Sequence, residues 1–261
     1  MSKIEVTLID SMGSCLSVAN AARVSFGKKS DGIILEYDLL GEDPNAIKLS
    51  IEKFQEEGWI ITSDLENWKI TVRMPTDGDT KLIRYLAKHK HLSPFGHAFA
   101  SFHVKAPIFV ARQLVKHKFL RWNEISRRYV DDEPEFYVPD VWRAKADDVK
   151  QGSSSEAVGM YESLWGFANA DEDYCAHMKE AEYLYGHMVK SGIAPEQARM
   201  VLPQSTMTEW YWSGSLDAFA DMCRLRCKED TQYESRLVSD QVSTIMQDLF
   251  PVSWSALMDN P

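Results

Sequence analysis

The residue types best suited to binding or catalysis are concentrated between positions 106 and 130, in the stretch APIFVARQLVKHKFLRWNEISRRYV. Its first half predicts a helix from Ala106 to about Lys118, because Pro107 suits a first helical turn and apolar residues follow at helical spacing. Its second half interleaves lysines and arginines with small hydrogen-bonding residues. The whole chain has a formal net charge of −10, so this basic run opposes the average. It indicates either an anion site, such as one for a phosphate, or a solvated charged face.

The second half of this stretch resembles the signature of the flavin-dependent thymidylate synthases, RHRxxSxNExSxRY. In this chain the segment from Lys116 to Tyr129 reads KHKFLRWNEISRRY, and six of the nine defined positions match. The matching residues are His117, Asn123, Glu124, Ser126, Arg128 and Tyr129. Both outer arginines are lysines here, and the first serine is Arg121.

The resemblance implies reductive one-carbon transfer to C5 of dUMP, giving dTMP. The expected donor is 5,10-methylenetetrahydrofolate, the expected cofactor is FAD, and NADPH is the expected reductant. In this family the protein polarises the pyrimidine electrostatically, so no protein nucleophile is required. None of the four cysteines lies in the sequence context of the thymidylate synthases that use a cysteine nucleophile. The resemblance thus implies a methyltransferase and oxidoreductase, and it also implies a homotetramer with active sites shared between chains.

Residues in three well-separated segments match nucleotide contacts of the family. They are Gln113, Glu124, Ser126, Arg127, Arg128, Arg199 and Arg226. Arg199 lies in the family's ARxxLP context and matches a phosphate-binding arginine. Arg226 matches the catalytic arginine that contacts and polarises the pyrimidine. A guanidinium suits this role because it stays charged and can stabilise enolate-like charge on the ring.

A second group of residues matches the flavin and folate contacts of the family. They are Ser25, His91, Ser93, Lys116, His117, Lys118, Asn123, Glu124, Ser215 and Asp221. Ser25 belongs to an AARVSF segment that is common in the family. His91 and Ser93 belong to HLSPFGH, which resembles the family's HxTPFEH.

The flavin half of the site departs from the family more than the nucleotide half does. Gly96 replaces the usual glutamate, and acids occupy three family positions at Asp217, Asp221 and Asp230. Lysine in place of arginine keeps the charge but loses the bidentate fork. We therefore expect flavin binding that is weaker than, or arranged differently from, that of the family.

Two other functions remain open on the residues alone. One is a relative that hydrates the transferred carbon and makes 5-hydroxymethyl-dUMP, or that acts on dCMP. The other is a non-catalytic nucleotide-binding paralogue. Retention of Arg128, Arg199 and Arg226 argues against decay, but it does not exclude a binding role.

Composition limits the class of protein. With 261 residues and 44% hydrophobic residues, the chain can bury a large core, and no apolar run approaches the ~20 residues of a membrane span. The N-terminus alternates like a strand and lacks the layout of a signal peptide. The four cysteines show no disulfide framework. Cys223 and Cys227 are one helical turn apart but have no second ligand pair, which fits a cytoplasmic protein without a metal. The acidic balance argues against general nucleic-acid binding.

The periodicities, together with the resemblance, predict a single α+β domain over residues 1–261, with a central, mainly antiparallel sheet flanked by helices. Strands are expected at 3–9, 98–106, 135–139 and 206–213, and helices at 16–26, 79–89, 153–190, 195–203, 216–230 and 232–251. Residues 32–76 look like an insertion, with a helix after Asp43 and strands at 59–63 and 67–74. In the long helix we expect core positions at Leu164, Phe167, Tyr174, Met178, Ala181 and Tyr185, with a stop at Gly192.

Overall fold

The computed structural model describes residues 3–38, 60–64, 69–146, 152–164 and 166–260. Strands and helices are mixed along these ranges, which confirms the predicted α+β class. The strands are β1 (Glu5–Met12), β2 (Ile33–Asp38), β3 (Ile60–Asp64), β4 (Lys69–Met74), β5 (Phe99–Pro107), β6 (Arg121–Glu124), β7 (Met160–Ser163), β8 (Gly166–Asn169) and β9 (Met207–Ser215). The helices are α1 (Cys15–Arg23), α2 (Asp77–Lys88), α3 (Ile108–Leu114), α4 (Ala170–Lys190), α5 (Pro195–Ala198), α6 (Leu216–Arg226), α7 (Tyr233–Leu249) and α8 (Pro251–Met258). None of these helices is long and apolar enough to cross a bilayer.

The described strands form a four-stranded sheet, a three-stranded sheet and a hairpin. The four-stranded sheet has the order β1-β5-β9-β6. The three-stranded sheet has the order β2-β4-β3 and is antiparallel, with Ile33 opposite Met74 and Ile60 opposite Arg73. The predicted strands at 59–63 and 67–74 are confirmed. The helix expected after Asp43 lies outside the described residues, so the insertion at 32–76 stays a prediction.

The chain divides into two compact units, each assembled from separate segments. Unit 1 comprises residues 1–7, 103–212 and 225–239, and unit 2 comprises residues 8–102, 213–224 and 240–261. In the core of unit 1, the Trp122 ring stacks on Trp210 with centroids 4.4 Å apart. In the core of unit 2, Phe102 meets Phe219 edge to face at 5.1 Å. The predicted organisation as one domain with an insert stays a prediction.

The helix predicted at 106–118 is shorter than expected. Pro107 is the last residue of β5 and the N-cap of α3, rather than part of a first helical turn. The backbone N–H groups of Ile108 and Phe109 donate to the carbonyl oxygens of Thr206 and Gln204, at 2.9 and 3.1 Å. These bonds satisfy two amides that would otherwise have no partner at the start of α3.

The long helix predicted from Ser153 is wrong in its first half. A β7–β8 hairpin occupies residues 160–169, and only α4 is helical. Apolar and polar residues alternate poorly in the hairpin segment, so local periodicity does not distinguish a hairpin from a helix there. Leu164 and Phe167, expected in the core, are 96% and 80% exposed. Met178, Ala181 and Tyr185 are buried as predicted, whereas Tyr174 is half-buried.

Two other predicted elements are shorter in the structure. The strand expected at 135–139 is an isolated bridge between Phe136 and Thr206. The helix expected at 195–203 comprises only α5 and a 3₁₀ turn, Arg199–Val201. Gly192 ends α4 with a φ of +87°, as its residue type predicts. The helix α8, which begins at Pro251, was not predicted, because Pro251 reads equally well as the stop of α7.

Asp79 was expected to be the N-cap of α2, but Thr76 holds that position. The Thr76 hydroxyl accepts from the Asp79 backbone N–H at 3.1 Å, and the Thr76 N–H donates to the Asp79 carboxylate at 3.0 Å. This reciprocal pair is a capping box. The other contacts of the Asp79 carboxylate come from Arg23, Ser30 and the Thr76 hydroxyl. It therefore links the end of α1 to the start of α2.

Candidate active site

A cavity of about 630 Å³ in unit 1 gathers most of the predicted nucleotide contacts. We call it the arginine cavity. Its charged and hydroxyl lining consists of Arg112, Glu124, Ser126, Arg127, Arg128, Arg199, Thr206 and Thr208. Apolar residues of α3 and of the segment after α5 complete the wall. Five of the seven predicted substrate residues therefore lie around one cavity, although they are up to 75 positions apart in sequence.

The helix α3 and the loop after β6 position many of these side chains. Ile108, Ala111, Arg112 and Val115 share one face of α3 because they recur at spacings of three and four residues. The loop after β6 is fixed to β9, since the Ile125 N–H donates to the Glu209 carbonyl oxygen at 2.9 Å.

Glu124 enters the cavity as a fixed hydrogen-bond acceptor. The Trp122 indole N–H donates to its Oε2 at 3.1 Å, and the Thr208 hydroxyl donates to its Oε1 at 2.8 Å. Trp122 is itself held by its stack on Trp210. Because both carboxylate oxygens are engaged by neutral donors, Glu124 keeps its orientation without forming an ion pair in the described part of the chain.

The three predicted arginines of the cavity differ in how their charge is compensated. Arg127 donates from Nη1 to the Asp132 carbonyl oxygen at 2.7 Å and to its carboxylate at 3.1 Å. Arg128 donates from Nε to the Ser126 hydroxyl at 3.0 Å, and Arg199 donates from Nε to the Glu196 carbonyl oxygen at 3.3 Å. Neither has a carboxylate partner among the described residues, so both can bind a phosphate.

Arg226 lies at the end of α6 and contacts His117, just after α3. Its Nε donates to His117 Nε2 at 3.0 Å. The accepting Nε2 carries no proton in this arrangement, which places the proton of a neutral imidazole on Nδ1. Burial lowers the pKa of Arg226 below its ordinary value, but a guanidinium starts so high that it stays charged at neutral pH. Arg226 is not among the residues lining the arginine cavity.

Gln113 faces away from the arginine cavity. It lies one residue after Arg112 on α3 and lines a separate cavity of about 640 Å³ with Tyr137, Trp142 and Tyr174. The Gln113 side chain donates to the Gln232 amide oxygen and accepts from Ser235 Oγ at 3.2 Å. The structure therefore does not bring Gln113 together with the other predicted nucleotide contacts of this chain.

The predicted flavin contacts of unit 1 offer uncompensated charge. Lys116 and Lys118 are exposed and have no carboxylate partner in the described ranges, and Asn123, further along the same segment, is also exposed. Such groups fit an anionic pyrophosphate or a ring edge. His117 is engaged with Arg226.

The predicted flavin contacts of unit 2 come from four separate places in the sequence. Ser25 is exposed in the 3₁₀ turn Val24–Phe26, and His91 and Ser93 are exposed around the 3₁₀ turn Ser93–His97. Ser215 ends β9. The Asp221 carboxylate forms an ion pair with Arg224, so it carries a compensated charge that would repel a flavin phosphate only weakly.

Sequence reasoning missed Arg112, Trp122 and Thr208. Arg112 adds a cation to the arginine cavity, and the other two hold Glu124. The signal for Arg112 was its spacing from Ile108 and Val115 on one helical face. No local signal pointed to Thr208, because it reaches Glu124 only through strand pairing.

These features define a class of protein: an α+β protein with a cationic cavity that suits a phosphorylated small molecule and a fixed guanidinium outside the cavity wall. The chain matches the family model of the thymidylate synthase complementing protein over residues 7–252. It therefore belongs to the flavin-dependent thymidylate synthases, which confirms the resemblance and the expectation of an enzyme of the methyltransferase type that uses a flavin.

Curated relatives and solved structures agree with this assignment. A flavin-dependent thymidylate synthase of Thermus thermophilus is 31% identical over 98% of this chain and 76% of its own length. One of Treponema denticola is 38% identical over 67% of this chain and 65% of its own. The UMP/dUMP methylase PolB from Streptomyces cacaoi, bound with 5-Br dUMP, superposes with a TM-score of 0.67 and 29% identity, covering 99% of this chain and 96% of that one.

Proposed function

We propose that this protein methylates C5 of dUMP to give dTMP. The proposed carbon donor is 5,10-methylenetetrahydrofolate, the proposed flavin is FAD, and NADPH is the proposed reductant. The observation that carries the proposal is the arginine cavity, which gives an acidic chain a built site for the phosphate of a nucleotide. The names of the relatives support it, as does the structural neighbour that was solved with 5-Br dUMP and with 5-Br UMP.

The residues of this chain have distinct tasks in the proposed reaction. Arg128, Arg199 and Ser126 bind the phosphate, and Glu124 accepts a hydrogen bond from the nucleotide. Arg226 stabilises the enolate-like negative charge of the polarised pyrimidine, which makes C5 nucleophilic towards the one-carbon unit, and His117 orients the guanidinium. Lys116, Lys118 and Asn123 would hold the flavin, which would supply the hydride needed to complete the methyl group.

The proposed route needs no cysteine nucleophile. Cys15 and Cys223 are buried, and burial raises the pKa of the Cys15 thiol, which disfavours the reactive thiolate. The cysteines that the structure describes are all free, in accord with a reducing cytoplasm as the place of the reaction.

The identity of the product tests the function. With methylenetetrahydrofolate, FAD and NADPH, dUMP should yield dTMP, detected by mass spectrometry, and omission of either FAD or NADPH should stop its formation. The same assay with UMP and dCMP defines the nucleotide. A product one oxygen heavier than dTMP would instead establish the hydroxymethylase, and absence of any product with all components present would leave a nucleotide-binding paralogue.

We further propose that the active site is shared between chains of a homotetramer. Arg226 does not line the cavity that contains Arg128 and Arg199, so one chain's arginine cavity can be completed by another chain's Arg226. Arg128→Ala and Arg226→Ala proteins, each inactive alone, should regain partial activity after subunit exchange. Each protein self-mixed is the control. An active monomer in light scattering, or a mixture as inactive as its parts, would contradict the shared site.

A further inference from the structure

Arg112 is an arginine of the cavity to which no role has yet been given. It lies on the face of α3 that carries Ile108, Ala111 and Val115, and all four residues line the arginine cavity. The side chain is exposed and makes no ion pair with a carboxylate in the described part of the chain. An exposed guanidinium that faces a cavity without a counter-ion is available to a ligand.

The balance of charge around the cavity indicates a ligand-binding role for Arg112. Arg127 is compensated by Asp132, which lies outside the wall. Three guanidinium groups then remain, those of Arg112, Arg128 and Arg199, against the single carboxylate of Glu124. The net charge of the wall is thus about +2, which matches the charge of roughly −1.5 to −2 on a phosphate monoester at pH 7. Without Arg112 the wall would carry only about +1.

Arg128 and Arg199 alone would neutralise only part of the charge of a phosphate monoester and satisfy only some of its hydrogen-bond acceptors. Arg128 already donates one N–H to Ser126, and Arg199 donates one to the Glu196 carbonyl oxygen, so each has fewer donors left for a phosphate. A monoester has three terminal oxygens, each able to accept more than one hydrogen bond. Arg112 brings an uncommitted fork of five N–H donors.

We propose that Arg112 is the third guanidinium that binds the phosphate monoester of the nucleotide. The inference rests on the proposed function, in which the substrate is a nucleoside monophosphate, and it adds a binding residue to that site. Arg112 thereby selects for the phosphate and contributes nothing to recognition of the base.

Calorimetric titration with dUMP and with deoxyuridine, which lacks the phosphate, isolates this contribution. Arg112→Gln should weaken dUMP binding by about tenfold or more, the usual effect of losing a hydrogen bond to a charged group. Its affinity for deoxyuridine should stay at the wild-type value, and its dUMP affinity should depend less on salt. Arg84→Gln, which removes an exposed arginine of α2, is the matched control and should bind both ligands normally.

Each other outcome has a definite meaning. Unchanged dUMP affinity in Arg112→Gln, with weakened affinity in Arg128→Ala and Arg199→Ala, would overturn the role of Arg112 and leave the proposed function standing. Equal weakening of dUMP and deoxyuridine would also overturn it, since the defect would then not concern the phosphate. Wild-type protein that binds deoxyuridine as tightly as dUMP would instead count against the phosphate site of the proposed function itself.

Discussion

Replacement of Arg226 by alanine is expected to lower kcat for dTMP formation by about a hundredfold or more, while the protein stays folded. The expected size is that of removing one fixed electrostatic group from an active site. The guanidinium is half-buried, where its field is screened less than in water, and His117 orients it through a 3.0 Å hydrogen bond. Steady-state turnover with saturating FAD, NADPH and methylenetetrahydrofolate measures the effect.

Two variants make this test specific. Arg236→Ala removes another partly buried arginine of unit 1, one that stacks on Tyr233, and should leave kcat close to that of the wild type. Arg226→Lys keeps the charge but loses the Nε donor to His117, so it should recover part of the lost rate. A folded Arg226→Ala protein with near-wild-type kcat would show that another group polarises the pyrimidine.

Replacement of Asp79 by alanine is expected to lower the free energy of unfolding by about 3–5 kcal/mol, the usual cost of removing one partner of a buried ion pair. The carboxylate is fully buried and receives Arg23 at 2.7 and 3.0 Å. The hydroxyls of Ser30 and Thr76 each donate to its other oxygen at 2.7 Å. The substitution would leave these donors without their acceptor. Denaturant unfolding, followed by circular dichroism, measures the change.

Asp77→Ala is the matched control for this substitution. Asp77 lies in the same first turn of α2 but is exposed, so its loss should cost no more than the ~1 kcal/mol of a helix-dipole interaction. An Asp79→Ala protein that unfolds at the same denaturant concentration as Asp77→Ala would contradict the structural role of the buried carboxylate.

The same carboxylate should make stability depend on pH in the acid range. Burial raises the pKa of Asp79, but hydrogen bonds from Ser30, Thr76 and Arg23 outweigh it and hold the pKa below its ordinary value. The folded state therefore binds this proton less readily than the unfolded state. The stabilisation is present above the unfolded pKa of about 3.9 and is lost as pH falls through the folded pKa. Asp79→Asn should flatten the acid limb of the stability profile.

The sequence by itself determined the family and predicted most of the residues around the candidate site. The segment from Lys116 to Tyr129 identified the family because the residue types that bind ligands, and their spacing, form a recognisable pattern within one short segment. The sequence also predicts long, regular elements such as β5, β9 and α7, because their apolar residues recur with the period of a strand or a helix. The family pattern also predicts one common ligand for Ser126, Arg128 and Arg199, although Arg199 is far from the other two in sequence.

Only the tertiary structure decided which of these residues share a cavity and which carry free charge. Asp132 compensates Arg127, Thr208 fixes Glu124, and Gln113 lines a different cavity from its neighbour Arg112. The β7–β8 hairpin, and with it the exposure of Leu164, likewise escaped the sequence pattern. The reason is common to these cases: each depends on contacts between residues that are distant in sequence, or on which face of a short element meets the core. Residue type and spacing along one segment do not contain that information.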